Sequence, residues 1–127
     1  MTPALSRLTV GSGLRLEPPF DASLNNFAIN AGEVDTFEIT GTKMESSSLW
    51  AMNAQLTDAG EVRYYNEDGQ QVKIQVVETP PPPSNPDTLT VTVDFTQTPT
   101  AVRAVMRLGL YSFKYHHATI YTINITK

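Results

Sequence analysis

The sequence has no cysteine, which removes disulfide scaffolds, thiolate nucleophiles and cysteine-ligated metal centres from consideration. The absence does not locate the protein, because 127 residues can bury a two-layer core without covalent staples. Charge is also sparse: charged residues make up 17% of the chain and the net charge is −4, with lysines and arginines scattered singly. No basic stripe of the kind that neutralises a phosphate backbone is present, so nucleic acid is not an expected partner. Apolar runs are short, and none approaches the ~20 residues of a membrane-spanning helix. Residues 1–20 lack a basic n-region followed by an apolar h-region, so no secretory signal is expected to start at Met1. Either the chain works where it is made or it derives from a larger exported parent. What is present, 40% apolar residues with five Phe, five Tyr and one Trp, is enough to build the core of one domain spanning 1–127.

No stretch carries a convincing helical period, whereas period-two alternation recurs from end to end. Leu5, Leu8 and Val10 open the chain as a strand, and Tyr121, Ile123 and Ile125 alternate with Thr122, Asn124 and Thr126 at its close. Such alternation puts apolar groups on one sheet face and small polar groups on the other. Between these ends, strands are expected at Phe27 to Asn30, at Val34 to Thr40 with Gly41 as terminator, and from Leu49 to Leu56. Further strands are expected at Val62 to Tyr65, Val72 to Val77, Leu89 to Phe95 and Val102 to Leu110. Pro18 and Pro19 suit an edge crossing or bend. Asp68-Gly69 marks a hairpin, because glycine accepts the positive φ a tight turn demands. Residues 79–87, with Pro80, Pro81, Pro82 and Pro83 at their centre, cannot join a hydrogen-bonded ladder and are expected as a stiff exposed loop. About nine short strands with turns at this spacing describe an all-β, two-sheet antiparallel sandwich.

Candidate chemistry is thin. His116 and His117 are adjacent, and on a strand they would point to opposite faces, so together they cannot chelate one metal. Asp58, Glu61, Glu67 and Asp68 are carboxylates near a hairpin, but acid–base hydrolysis needs two of them at a fixed separation inside a cleft, and a solvated rim is the expected reading. Ser46-Ser47-Ser48 has no histidine nearby and no strand-turn-helix elbow around it. Trp50 is expected in the core, and in Asn124-Ile125-Thr126 the Asn is expected as an outward residue on a strand rather than a glycosylation site. Tyr64 and Tyr65 must lie on opposite faces, so one of them should be exposed. No enzyme activity, metal or cofactor is expected.

The run Leu5-Ser6-Arg7-Leu8-Thr9-Val10, then Leu16-Glu17-Pro18-Pro19-Phe20-Asp21, then Phe27-Ala28-Ile29, resembles the opening of the cadherin-like β-sandwich domains of bacterial surface and secreted proteins. Tyr121-Thr122-Ile123-Asn124-Ile125-Thr126-Lys127 looks like the terminal strand of the same domains. Lys114-Tyr115-His116-His117 stands where those domains usually carry Asp-Gly, and the tetraproline segment looks like an insertion. The resemblance implies an Ig-like fold serving as spacer, adhesion module or enzyme accessory, with no catalytic residues to carry over and no calcium motif.

These observations lead to the expectation of a non-enzymatic structural or interaction module on an exposed surface. The first setting is a phage virion accessory, a head decoration or tail protein; the second is a domain of a bacterial surface adhesin or secreted protein, with a glycan as alternative ligand. Partners are expected to be other protein subunits in an oligomeric or particle-bound state. The expected contact residues are Met1, Thr2 and Pro3 at the start, Pro80 to Pro83 in the loop, and the aromatics Tyr64 and Tyr115.

Overall fold

The structure, a computed structural model, describes residues 3–44, 49–50, 58–78, 87–112 and 116–127, with 49–50, 58–59 and 78 described by backbone alone. Among these residues there are nine strands and no helix: β1 (Leu5–Val10), β2 (Asn26–Asn30), β3 (Thr36–Lys43), β4 (Leu49–Trp50), β5 (Asp58–Asn66), β6 (Gln71–Glu78), β7 (Thr88–Asp94), β8 (Ala101–Ser112) and β9 (His117–Thr126). A small sheet runs β1-β3-β7, antiparallel throughout. A larger sheet runs β2-β9-β8-β5-β6, with β4 paired to the far end of β8.

The alternation explains which side of each strand is buried. Phe37 and Ile39 from β3, Leu89, Val91 and Val93 from β7, and Leu5 and Leu8 from β1 meet Phe27, Ile29, Val62, Ala104, Met106, Leu108, Leu110, Ile123 and Ile125 of the larger sheet in one apolar cluster. Both inner faces thus remove their apolar groups from water together, the main favourable term in forming this two-layer architecture. The β5–β6 hairpin turns where expected, with Gly69 at φ +80°. The Asn66 side-chain oxygen accepts from the N–H groups of Asp68 at 3.0 Å and Gln70 at 2.9 Å, which satisfies turn donors that no strand could reach.

Three expectations need correction, and a fourth is covered only in part. The larger sheet is not wholly antiparallel, because β2 runs parallel to β9, Phe27 beside Ile123 and Ile29 beside Ile125. Alternation has the same period in either orientation, so the pattern could not reveal this. Gly41 does not end β3; it lies inside the central strand of the small sheet, paired with Leu8 on one side and Leu89 on the other. Val102, expected inward, is 43% exposed, at the start of β8 beside the chain's last residues. Leu49 to Leu56 is strand at Leu49–Trp50, and the remainder lies outside the described residues.

The first and last strands fall in different sheets, yet they are tied to each other. The Leu5 N–H donates to the Tyr121 hydroxyl at 3.0 Å, and the Thr119 hydroxyl donates to the Pro3 carbonyl at 2.7 Å. Residues 3–10 therefore lie against their own domain.

Candidate interaction surface

The two sheet paths end in four edge strands, β1 and β7 in the small sheet and β2 and β6 in the larger, with the two-residue β4 lying off the path, and an unpaired edge is a template for another chain unless something blocks it. At β1 the Leu5 N–H is taken by Tyr121. At β7 the Asp94 N–H donates to the Tyr64 hydroxyl at 3.0 Å, and the Gln75 side-chain amide donates to the Thr92 carbonyl at 3.1 Å. Tyr64 itself donates to the Gln75 side-chain oxygen at 3.2 Å, so the phenol and the amide form one latch between the sheets. At β2, Ala28 exchanges both backbone hydrogen bonds with Glu17, at 2.7 and 2.9 Å, just ahead of the cis Glu17–Pro18 peptide. β6 pairs with β5 on one side, and among the described residues no backbone or side-chain group bonds to the backbone of its other edge.

The outer faces of the two sheets differ in chemistry. On the small sheet, Thr9, Thr40 and Thr90 stand in register, as do Thr42 and Thr88. Thr40 and Thr90 hydroxyls lie 3.1 Å apart, and Thr42 and Thr88 hydroxyls 3.4 Å apart; this face satisfies many of its own polar groups. The larger sheet carries an apolar edge and a charged interior. Val72, Ile74 and Val76 project from the outer side of β6 at 38, 44 and 50% exposure. One strand inward, Glu61 faces Val76 and Arg63 faces Ile74. One strand further, Arg107 stands beside Glu61, and Arg103 beside Tyr65.

Glu61 and Arg63 share a face because they are two apart on a strand. The Arg63 Nε donates to the nearly buried Glu61 carboxylate at 2.9 Å, and Arg107 lies 4.0 Å from its other oxygen. That hydrogen bond holds the Arg63 guanidinium above its ordinary range, so its charge is fixed at any working pH. The Arg103 guanidinium sits 5.1 Å from the Tyr65 ring centroid, a cation–π contact that stiffens both side chains. Among the described side chains, three arginines against one glutamate make this part of the face cationic on a chain whose net charge is −4.

The residues singled out from sequence are not brought together. Tyr64 is a correction: it is fully buried, with its ring edge-on to Phe95 at 5.4 Å between centroids, so it cannot serve as an accessible contact. Burial pushes its phenol up. Its neighbour Tyr65 is the half-buried one, on the outer face. Pro3 is buried against β9. Met1, Thr2, Pro80, Pro81, Pro82, Pro83 and Tyr115 lie outside the described residues, as do Ser46-Ser47-Ser48 and the side chain of Trp50.

Of the carboxylates, Glu61 is committed to arginines, whereas Glu67 and Asp68 sit in the hairpin turn, about 20 Å further along the strand at its usual rise. His116 and His117 are exposed, and His116 Nδ1 lies 3.3 Å from the Tyr111 hydroxyl. Among the described residues no three His, Asp or Glu side chains are grouped to hold a metal ion. An open hollow of about 510 Å³ at one end of the sandwich is lined by Phe95, Thr96, Pro99 and Val102 and by Lys127, which pairs with Asp35. Its cation and carboxylate are already matched to each other. The Val72, Ile74, Val76 stripe was legible in the sequence as part of an alternating strand, but its meeting with Arg63, Arg103 and Arg107 on one face depends on strand order. Comparison with protein-family models, curated proteins and solved structures gives no match.

Proposed function

We propose that this chain is a non-catalytic interaction module of an exposed assembly, an Ig-like domain that seats the outer face of its larger sheet on a neighbouring protein. The Ig-like reading is supported by strand order: β1-β3-β7 and β2-β9-β8-β5-β6 correspond to A-B-E and A′-G-F-C-C′ of an Ig sandwich, including the extra strand that variable-type domains add beside C. The observation that carries the functional reading is the β5–β6–β8 face, where exposed Val72, Ile74 and Val76 border the row Arg63, Arg103 and Arg107. Apolar area flanked by arginine is what protein interfaces enrich. The partner this chemistry fits is a protein surface with an apolar strip and adjoining carboxylates.

For the setting, we favour a virion accessory, a head decoration or tail protein whose partners are other structural subunits. The alternative is a cadherin-like domain of a bacterial surface or secreted protein. It is supported by the resemblance at both ends of the chain, and those ends are neighbours in space: β2 pairs with β9, and Pro3 and Leu5 bond to β9 side chains. A sugar-stacking platform has less support, because Tyr64 is buried and Tyr65 is occupied by Arg103.

Density-gradient fractionation of source material tests the reading. The chain should migrate with virions in the first setting and with cell envelopes in the second. An Arg103→Gln/Arg107→Gln variant, which removes the charges without setting a carboxylate against Glu61, should leave those fractions while still unfolding cooperatively within a few degrees of the wild-type chain. Recovery of the wild-type chain only as free protein at the top of the gradient would overturn the proposal.

A further inference from the structure

The free edge of β6 is self-complementary, and we infer that two copies of this chain associate by antiparallel β6–β6 pairing about a two-fold axis through Ile74. The inference deepens the interaction-module reading above and rests on it, naming a second copy as one partner.

At the other three ends of the two sheet paths, backbone groups are taken by residues of the same chain: Tyr121 at β1, Tyr64 and Gln75 at β7, Glu17 at β2. Blocking of this kind is how sheet proteins prevent strand addition. On β6 the side-chain pattern does the reverse, presenting its large apolar groups to solvent in a row. A two-fold axis through Ile74 aligns Val72 with Val76 of the second copy, Ile74 with Ile74 of the second copy, and Val76 with Val72 of the second copy. Residues directly opposite lie roughly 4.5–5.5 Å apart at Cβ, so two half-exposed stripes become one continuous apolar patch. The symmetry is the isologous kind that closes at two subunits and cannot run on into fibres.

Charge does not oppose this register. Lys73 meets the uncharged Gln75 of the second copy, and no charged pair of like sign is directly opposite. The two Lys73 side chains stand on the diagonal, about 7–8 Å apart in such pairing. Each is turned inward, its ammonium 5.4 Å from its own Tyr64 ring centroid. Other alignments of the strand overlap fewer of the three apolar residues. One strand of this length covers far less than the roughly 800 Å² per partner of a standard interface. The dimer is therefore of the weak, concentration-dependent class, suited to reinforcing copies already held on a common surface.

Sedimentation velocity over a wide concentration range tests it directly. The wild-type chain should shift from monomer to dimer as concentration rises through the micromolar-to-millimolar range. Raising salt should not weaken the dimer, since apolar contact rather than ion pairing holds it. Ile74→Glu puts like charges face to face across the axis while giving Arg63 a carboxylate on the same face, so it should be monomeric with unchanged melting. Ile74→Lys alone should also be monomeric. Mixing the Glu and Lys variants should restore a dimer, now salt-sensitive, which a defect in folding could not do. A wild-type chain that stays monomeric throughout, or a mixture that fails to associate, overturns the inference. The gradient association of the previous section can survive that outcome, so failure of one proposal is distinguishable from failure of the other.

Discussion

Removing the Tyr121 hydroxyl is the sharpest available perturbation of the inter-sheet contact. Tyr121 is 1% exposed and Leu5 is 0% exposed, and the Leu5 N–H donates to that phenol oxygen at 3.0 Å. Tyr121→Phe keeps the ring and its packing but leaves a backbone donor facing carbon with no water at hand. An orphaned buried N–H costs about 1–3 kcal/mol, more than the net worth of an average hydrogen bond, because the full desolvation penalty remains. At roughly 3–5 °C per kcal/mol for a chain of this size, the melting temperature should fall by about 3–15 °C. Tyr64→Phe provides the comparison. Its partners are only partly buried, so water can replace the lost hydroxyl and the cost should be nearer 0.5–1.5 kcal/mol, about that of an ordinary hydrogen bond. Urea denaturation monitored by near-ultraviolet circular dichroism would give both values, with the slope held constant as a check that the unfolded states match. Equal losses for the two variants, or a loss below about 0.5 kcal/mol for Tyr121→Phe, would refute the reasoning about solvent exclusion.

Further outcomes follow from the same structure. A methyl group added at Gly60 would lie 2.4 Å from the Arg107 carbonyl oxygen, so Gly60→Ala must push β5 off β8 and should cost at least the roughly 1–3 kcal/mol of core overpacking, read by chemical denaturation. Ile123→Ala empties a fully buried position and should cost about 2–5 kcal/mol, whereas outward Thr122→Ala should change stability by less than about 0.5 kcal/mol. Asp94 is held below the usual carboxylate range, chiefly by hydrogen bonds from the Thr96 hydroxyl and N–H, with Thr36 and Lys73 adding to them. Because the native state releases this proton more readily than the unfolded chain, the stabilisation is present above the unfolded value near 3.9 and fades as pH falls through the native one. Asp94→Asn should therefore flatten the acid limb of a stability-against-pH curve and leave the neutral region's slope unaltered.

How much of this could be read from the chain depends on which physical signal each feature leaves. Strand positions were legible because burial of one face imposes period two: Val91, Val93, Ile123 and Ile125 are buried as the alternation requires. The β5–β6 hairpin was legible because a tight turn needs positive φ, and Asp68-Gly69 supplies it. The parallel β2–β9 pair was not, because residues 11–25 carry the chain from the small sheet to the larger one and no local turn chemistry records where it lands. Gly41 misled for a related reason: glycine in sequence reads as punctuation, yet here it is paired on both sides. Tyr64 and Tyr65 show the same limit at the candidate surface. Their opposition was certain from geometry, but which of them faced the core depended on how β5 sits between β6 and β8. The cationic face was least legible of all, since Arg63, Arg103 and Arg107 are distant in sequence and become neighbours only when β5 pairs with β8 in its observed register.

Hydrogen–deuterium exchange, comparing the free chain at low concentration with the chain in its assembly, tests most directly the claim that the β6 edge and its adjoining face are the working surface. The account predicts slowed exchange in peptides covering Gln71–Glu78 on assembly, with Thr88–Asp94 on the opposite face unchanged. Slowed exchange confined to Thr88–Asp94, with Gln71–Glu78 unaffected, would contradict it.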